Sequence, residues 1–116
     1  MSLDIEATTK GDAAHFKLNG SLDSNTAPQL KSAISGMDES IRLVAFDMQD
    51  LEFISSAGLR VIFSTLKQQK KKGGRVALSN MGPGVKKVFE IVKALPDFSV
   101  FANTQELDDY LAKFQR

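Results

Sequence analysis

The sequence predicts an α/β protein, a mixed β-sheet flanked by helices in the order ββαβαβαβα. Three observations predict it. Two short alternating segments split by a turn open the chain, as an antiparallel hairpin does. Beyond them, stretches with apolar residues at helical spacing alternate with short apolar runs. One such run, Arg42 to Met48, is almost continuously apolar, the composition of a strand covered on both faces of a parallel sheet. Strand–helix–strand crossovers are right-handed and set their strands parallel, so a hairpin followed by this alternation gives a mixed sheet.

Each element has its own signal. Leu3 to Thr8 and Ala14 to Asn19 read as strands around the turn-forming Lys10-Gly11-Asp12, and alternation puts Ala14, Phe16 and Leu18 on one face. The run Ser24-Asn25-Thr26 offers an N-cap for a first helix in which Pro28 suits the first turn. Its apolar positions are Ala27, Leu30, Ile34 and Met37, and it ends near Gly36. After the central strand, a second helix runs from about Ser56 to Lys72 with Leu59, Ile62, Phe63 and Leu66 inward, and Gly73-Gly74 ends it. Arg75 to Asn80 is the next strand. Pro83 opens a third helix on Val85, Val88, Phe89 and Val92, which Leu95-Pro96 stops. Phe98 to Phe101 is a short last strand. Asn103 and Glu106 form a capping pair for a final helix burying Leu107, Tyr110, Leu111 and Phe114.

Sites in such sheets lie beyond the carboxyl ends of the strands. Two polar segments are expected at that edge, one around Asp23 and one running Gln49-Asp50-Leu51-Glu52 as an acidic turn into Ser55-Ser56. The first turn of a helix carries unpartnered N–H groups and the positive end of the macrodipole, so a serine there suits either a cap or a phosphate. On spacing alone the simplest role of Ser56 is an N-cap, worth about 1 kcal/mol. Gly58 serves close helix packing or, as we expect, close approach of a partner. Lys70-Lys71-Lys72 with Arg75 reads as a solvated helix end suited to the negative pole of the dipole.

Composition narrows the function classes. The chain has 116 residues, 42% of them hydrophobic, which fits one domain over residues 1–116. A net charge of +1 gives no global field to attract nucleic acid or an anionic membrane. With no cysteine there is neither a disulfide framework nor a thiolate metal site, and no metal or cofactor is expected. No apolar run approaches the roughly 20 residues of a membrane span, and the chain reads as cytoplasmic. His15 is the only histidine and no Gly-x-Ser-x-Gly elbow is present, so no hydrolase is expected. Gly82-Pro83-Gly84 lacks the Gly-Lys-Ser/Thr of a phosphate loop.

Two blocks of sequence resemble a known family. Gly20-Ser21-Leu22-Asp23-Ser24-Asn25-Thr26-Ala27 is similar to the Gly-x-Leu-Asp-x-x-Thr-Ala segment of STAS domains, the fold of sulfate transporters and anti-sigma-factor antagonists. Asp50-Leu51-Glu52-Phe53-Ile54-Ser55-Ser56-Ala57-Gly58-Leu59 resembles the family's acidic-turn, Asp-Ser-x-Gly-Leu block, with Ser55 where better-known members have Asp. The resemblance implies a STAS-like fold and, among free-standing members, a non-enzymatic anti-sigma factor antagonist. It further implies that Ser56 is the phosphoacceptor, with Ser55 a second candidate. The implied partners are an anti-sigma factor serine kinase and a serine phosphatase. The partner-facing set is expected to be Asp23, Asp50, Ser55, Ser56, Ala57, Gly58 and Arg60.

The sequence leaves two other readings open. One is a STAS subunit of a transport or stress-signalling assembly without a phosphorylation switch. The other is an aspartate-phosphorylated receiver, suggested by Asp47 at the end of the central strand, although the acidic pair and late lysine of that family are not evident.

Overall fold

The computed structural model describes residues 2–114. The first two strands, β1 (Leu3–Lys10) and β2 (Ala13–Leu22), form the expected hairpin, antiparallel from Leu3 opposite Gly20 to Lys10 opposite Ala13. Helix α1 (Ala27–Ser35) leads to β3 (Leu43–Ile54), and α2 (Ser56–Lys71) to β4 (Arg75–Ser79). Helix α3 (Pro83–Ile91), a short 3-10 turn at Leu95–Asp97, β5 (Ser99–Phe101) and α4 (Thr104–Phe114) complete the order. The sheet runs β1-β2-β3-β4-β5, with β2 through β5 parallel. This is the predicted mixed sheet with β3 at its centre.

Side-chain size divides the two faces. Ala14, Phe16, Leu18, Phe46, Met48 and Leu78 point into the larger core beneath α1, α2 and α3, where Leu30, Ile62 and Phe89 are fully buried. Phe63, Phe89 and Phe98 pack there with centroids 5.7 to 6.4 Å apart, two of the three pairs edge to face. The opposite face presents Ala13, Ala45 and Ala77, small enough to seat Leu107 of α4 directly on the sheet. The side chain of Phe114, also expected on that helix face, lies outside the described residues.

Three expectations are corrected. The central strand does not stop at Met48 but runs to Ile54, so the supposed acidic turn is strand. Two irregularities in its pairing with β2, between Lys17 and Asn19 and between Gly20 and Ser21, insert extra residues into β3. Burial then recurs every third residue, at Met48, Leu51 and Ile54, with Gln49-Asp50 and Glu52-Phe53 facing outward between them. Gly20 sits in this distorted stretch at φ +117°, where any Cβ would strike the Ser2 carbonyl. The third helix ends at Ile91 rather than running to Leu95, because Lys93 takes a left-handed φ of +55° and its N–H bonds back to Glu90; Val92 is therefore exposed. Asp47 lies well inside β3, with its carboxylate accepting from Asn80 Nδ2 and the Gln49 N–H, both at 3.0 Å, which removes the strand-end aspartate of a receiver.

Candidate functional site

Because β2 and β3 are parallel neighbours, their carboxyl ends bring the β2–α1 loop and the head of α2 to one edge of the sheet. One backbone hydrogen bond ties them together, the Ser55 N–H donating to the Leu22 carbonyl at 2.9 Å. The two motif blocks of the sequence are thus joined in space.

The loop is locked by its own polar groups. Asp23 Oδ1 accepts from the N–H groups of Asn25 at 2.9 Å and Thr26 at 3.0 Å, a turn closed by an aspartate on its own backbone. Thr26 stands at the N-cap position of α1 without capping it; its buried hydroxyl reaches back, donating to the Ser21 carbonyl at 2.8 Å and accepting from the Asp23 N–H at 2.9 Å. Partial desolvation is the largest influence on the Asp23 carboxyl and raises its pKa. The hydrogen bonds from Thr26 and Asn25 together outweigh it and leave the group below its usual 3.8.

At the head of α2 the two serines have separate jobs. Ser55 is the N-cap, in extended backbone, and its half-buried side chain accepts the Gly58 N–H at 3.3 Å. Ser56 is the first helical residue. It is exposed, and among the described residues its hydroxyl has no hydrogen-bond partner. The spacing-alone reading of Ser56 as the cap is corrected: the helix begins at Ser56 itself, one residue earlier than a Ser56 cap requires. An aspartate at 55 caps a helix as serine does, so the departure from the Asp-Ser pattern keeps the cap and loses one charge.

The other members of the expected set separate. Gly58 is buried against its own chain rather than open to a partner, since a Cβ there would lie 2.6 Å from Leu22 Cγ and 2.9 Å from the Leu22 carbonyl oxygen. Asp50 stands apart from the serines. It faces outward from mid-strand with Oδ2 3.7 Å from Lys17 Nζ, and the remaining strand to Ile54 spans about 13 Å. Asp50, expected among the partner-facing residues, is thus set back along β3 from the two serines. Ala57 is half-buried and Arg60 exposed, and both line a groove of about 480 Å³ between α1 and α2. That groove also takes in Lys31, which carries no signal in the sequence because only the packing of α1 beside α2 brings it there.

A second groove of about 400 Å³ lies on the other sheet face, lined among others by His15, Asp47, Ser79 and Asp108. Burial lowers the His15 pKa below 6.5; Asp108 opposes that shift and Lys10 adds to it. Among the described residues no helix is long and apolar enough to cross a membrane.

A hairpin thus leads a parallel sheet whose carboxyl edge joins a capped helix start to an aspartate turn. The sequence matches the STAS domain family over residues 4–107, and the chain belongs to that family. It is 39% identical over 90 residues to a protein of Bordetella bronchiseptica named putative anti-sigma factor antagonist BtrV, covering 77% of each chain. In three dimensions it is similar to the anti-sigma factor antagonist SpoIIAA in its unphosphorylated form, with a TM-score of 0.82, 22% identity, and 97% of both chains covered. The Bacillus cell fate determinant SpoIIAA in its phosphorylated form is likewise similar, with a TM-score of 0.75, 21% identity, and 95% of this chain and 99% of that one covered.

Proposed function

We propose that this chain is an anti-sigma factor antagonist switched at Ser56. Unphosphorylated, it binds an anti-sigma factor that is also a serine kinase and so frees a sigma factor in the cytoplasm. Phosphorylation of Ser56 by that kinase ends the binding, and a serine phosphatase restores it. The observation that carries the reading is the division of labour at the head of α2: Ser55 caps the helix, leaving the Ser56 hydroxyl exposed and unengaged. The same division favours Ser56 over Ser55 as the acceptor.

Magnitudes make this a surface switch. A phosphoserine adds about −1.5 to −2 charges. An exposed helix N-terminus stabilises an anion by roughly 0.3 to 1 kcal/mol, small beside a fold stability of about 5 to 15 kcal/mol. The fold stays as it is. Against a partner's desolvated surface the same charge costs several kcal/mol, which is orders of magnitude in affinity. The alternative of a STAS subunit in a transport or stress-signalling assembly uses the same fold; the 39% identity to BtrV favours the antagonist.

The test is co-expression with candidate anti-sigma kinases, phosphopeptide mapping, and affinities for the kinase that binds. We expect phosphate on Ser56, tight binding by wild type and Ser56→Ala, and a loss of about a hundredfold or more in Ser56→Asp. Equal affinity in all three sinks the switch.

A further inference from the structure

Arg60 follows Ser56 by four residues on α2, so the two side chains are neighbours on one helix face. Arg60 also lines the α1–α2 groove, as does Lys31 of α1. These are the groove's only charged lining residues, both exposed, and neither is in an ion pair among the described residues. Lys17 and Lys70, by contrast, each meet a carboxylate on their own chain. Ala27, Ile34, Ala57 and Val61 give the groove an apolar lining, beside uncharged polar residues such as Ser64 and Gln68. Two unpaired cations on the rims of a partly apolar channel complement a segment that carries carboxylates beside an apolar side chain.

We propose that the α1–α2 groove docks a carboxylate-bearing segment of the anti-sigma partner through Arg60 and Lys31, and that phosphate on Ser56 displaces it by taking Arg60. The inference rests on the function proposed above and names the chemistry of its interface. A guanidinium presents a fork of donors that matches a phosphate oxygen pair, and the i, i+4 spacing lets it reach one without a change of fold. Phosphorylation then acts twice. It places negative charge at the groove mouth, and it withdraws the cation that the partner's carboxylate needs.

Two measurements test the two halves. Phosphoserine is installed at position 56 during translation, with no kinase, and its phosphorus resonance is titrated in wild type, Arg60→Lys and Arg60→Gln. We expect the second ionisation, ordinarily near pH 6, to fall about 0.3 pH unit lower in wild type than in Arg60→Gln. Coincident curves overturn the clamp. Affinity for the purified anti-sigma factor is then measured with the double variant Lys31→Glu/Arg60→Glu and with the control Lys67→Glu, an exposed α2 residue outside the groove. We expect about a tenfold or larger loss and a flatter salt dependence in the double variant only. Wild-type affinity in a double variant whose thermal melt is unchanged overturns the docking while leaving the antagonist reading standing; failure of wild type itself to bind any anti-sigma factor defeats both.

Discussion

Two strand-to-helix junctions stand side by side at the carboxyl edge of the sheet, and they use the same residue types to opposite ends. In the β2–α1 junction Asp23 and Thr26 spend their side chains within the loop: Asp23 closes its own turn and the Thr26 hydroxyl bridges Ser21 and Asp23. In the β3–α2 junction Ser55 completes the helix and the next hydroxyl, on Ser56, is left outside the bonding. A polar residue whose bonds are all internal is part of the scaffold. One that is exposed, unengaged and held on a fixed helix start is available for chemistry.

The strongest way to break this comparison is at Thr26. Replacing it with valine keeps the shape but leaves the Ser21 carbonyl and the Asp23 N–H without their partner in a buried position. Leaving buried polar groups unpaired costs about 2 kcal/mol in all, and urea unfolding of Thr26→Val should lose that much. A loss under about 0.5 kcal/mol would mean that the loop is not held by this hydroxyl.

The serine pair gives a smaller and sharper contrast. Ser55→Ala removes the N-cap and should cost about 1 kcal/mol, whereas Ser56→Ala removes an exposed, unbonded hydroxyl and should fall within about 0.5 kcal/mol of wild type. Chemical denaturation of the two variants side by side decides it. If both lose the same stability, the cap is shared and Ser56 is not free.

How much of this the sequence discloses depends on whether neighbours in the chain or neighbours in space set the feature. Alternation in β2 and the 3.6-residue stripes of α1 and α2 are local, and Ala14, Phe16, Leu18, Leu30, Ile34 and Ile62 stand in the core where periodicity puts them. The end of β3 is hidden because bulging changes the burial period from two to three, and Gln49-Asp50 then mimics a turn. Which serine caps α2 turns on a one-residue difference in helix start, finer than periodicity resolves. Gly58 and Lys31 are set by contacts across elements: glycine is needed because Leu22 lies beneath it, and Lys31 meets Arg60's groove only through the packing of two helices. Only the two motif blocks taken together single out Ser56 as an acceptor, whereas spacing alone points to a cap.

The smallest expected effect concerns pH and the internal junction. The hydrogen bonds from Thr26 and Asn25 hold the Asp23 carboxyl below its ordinary 3.8 in the folded state, despite the opposing desolvation. A carboxyl depressed on folding contributes stability that is fully present above its unfolded pKa and is lost as pH falls through its folded one. Wild type should therefore lose part of its stability below about pH 4, and Asp23→Asn, which cannot titrate, should show a shallower acid limb. Thermal melts of both proteins between pH 7 and pH 2 measure the difference. The loop amides of Asn25 and Thr26 in wild type should lose protection relative to their intrinsic exchange rate over the same window, because the protonated carboxyl is the poorer acceptor for their N–H groups. Since Ser56 lies outside that network, its exposure should not respond, and a coupled change at the head of α2 would show that the Leu22–Ser55 hydrogen bond carries the loop's state to the helix start.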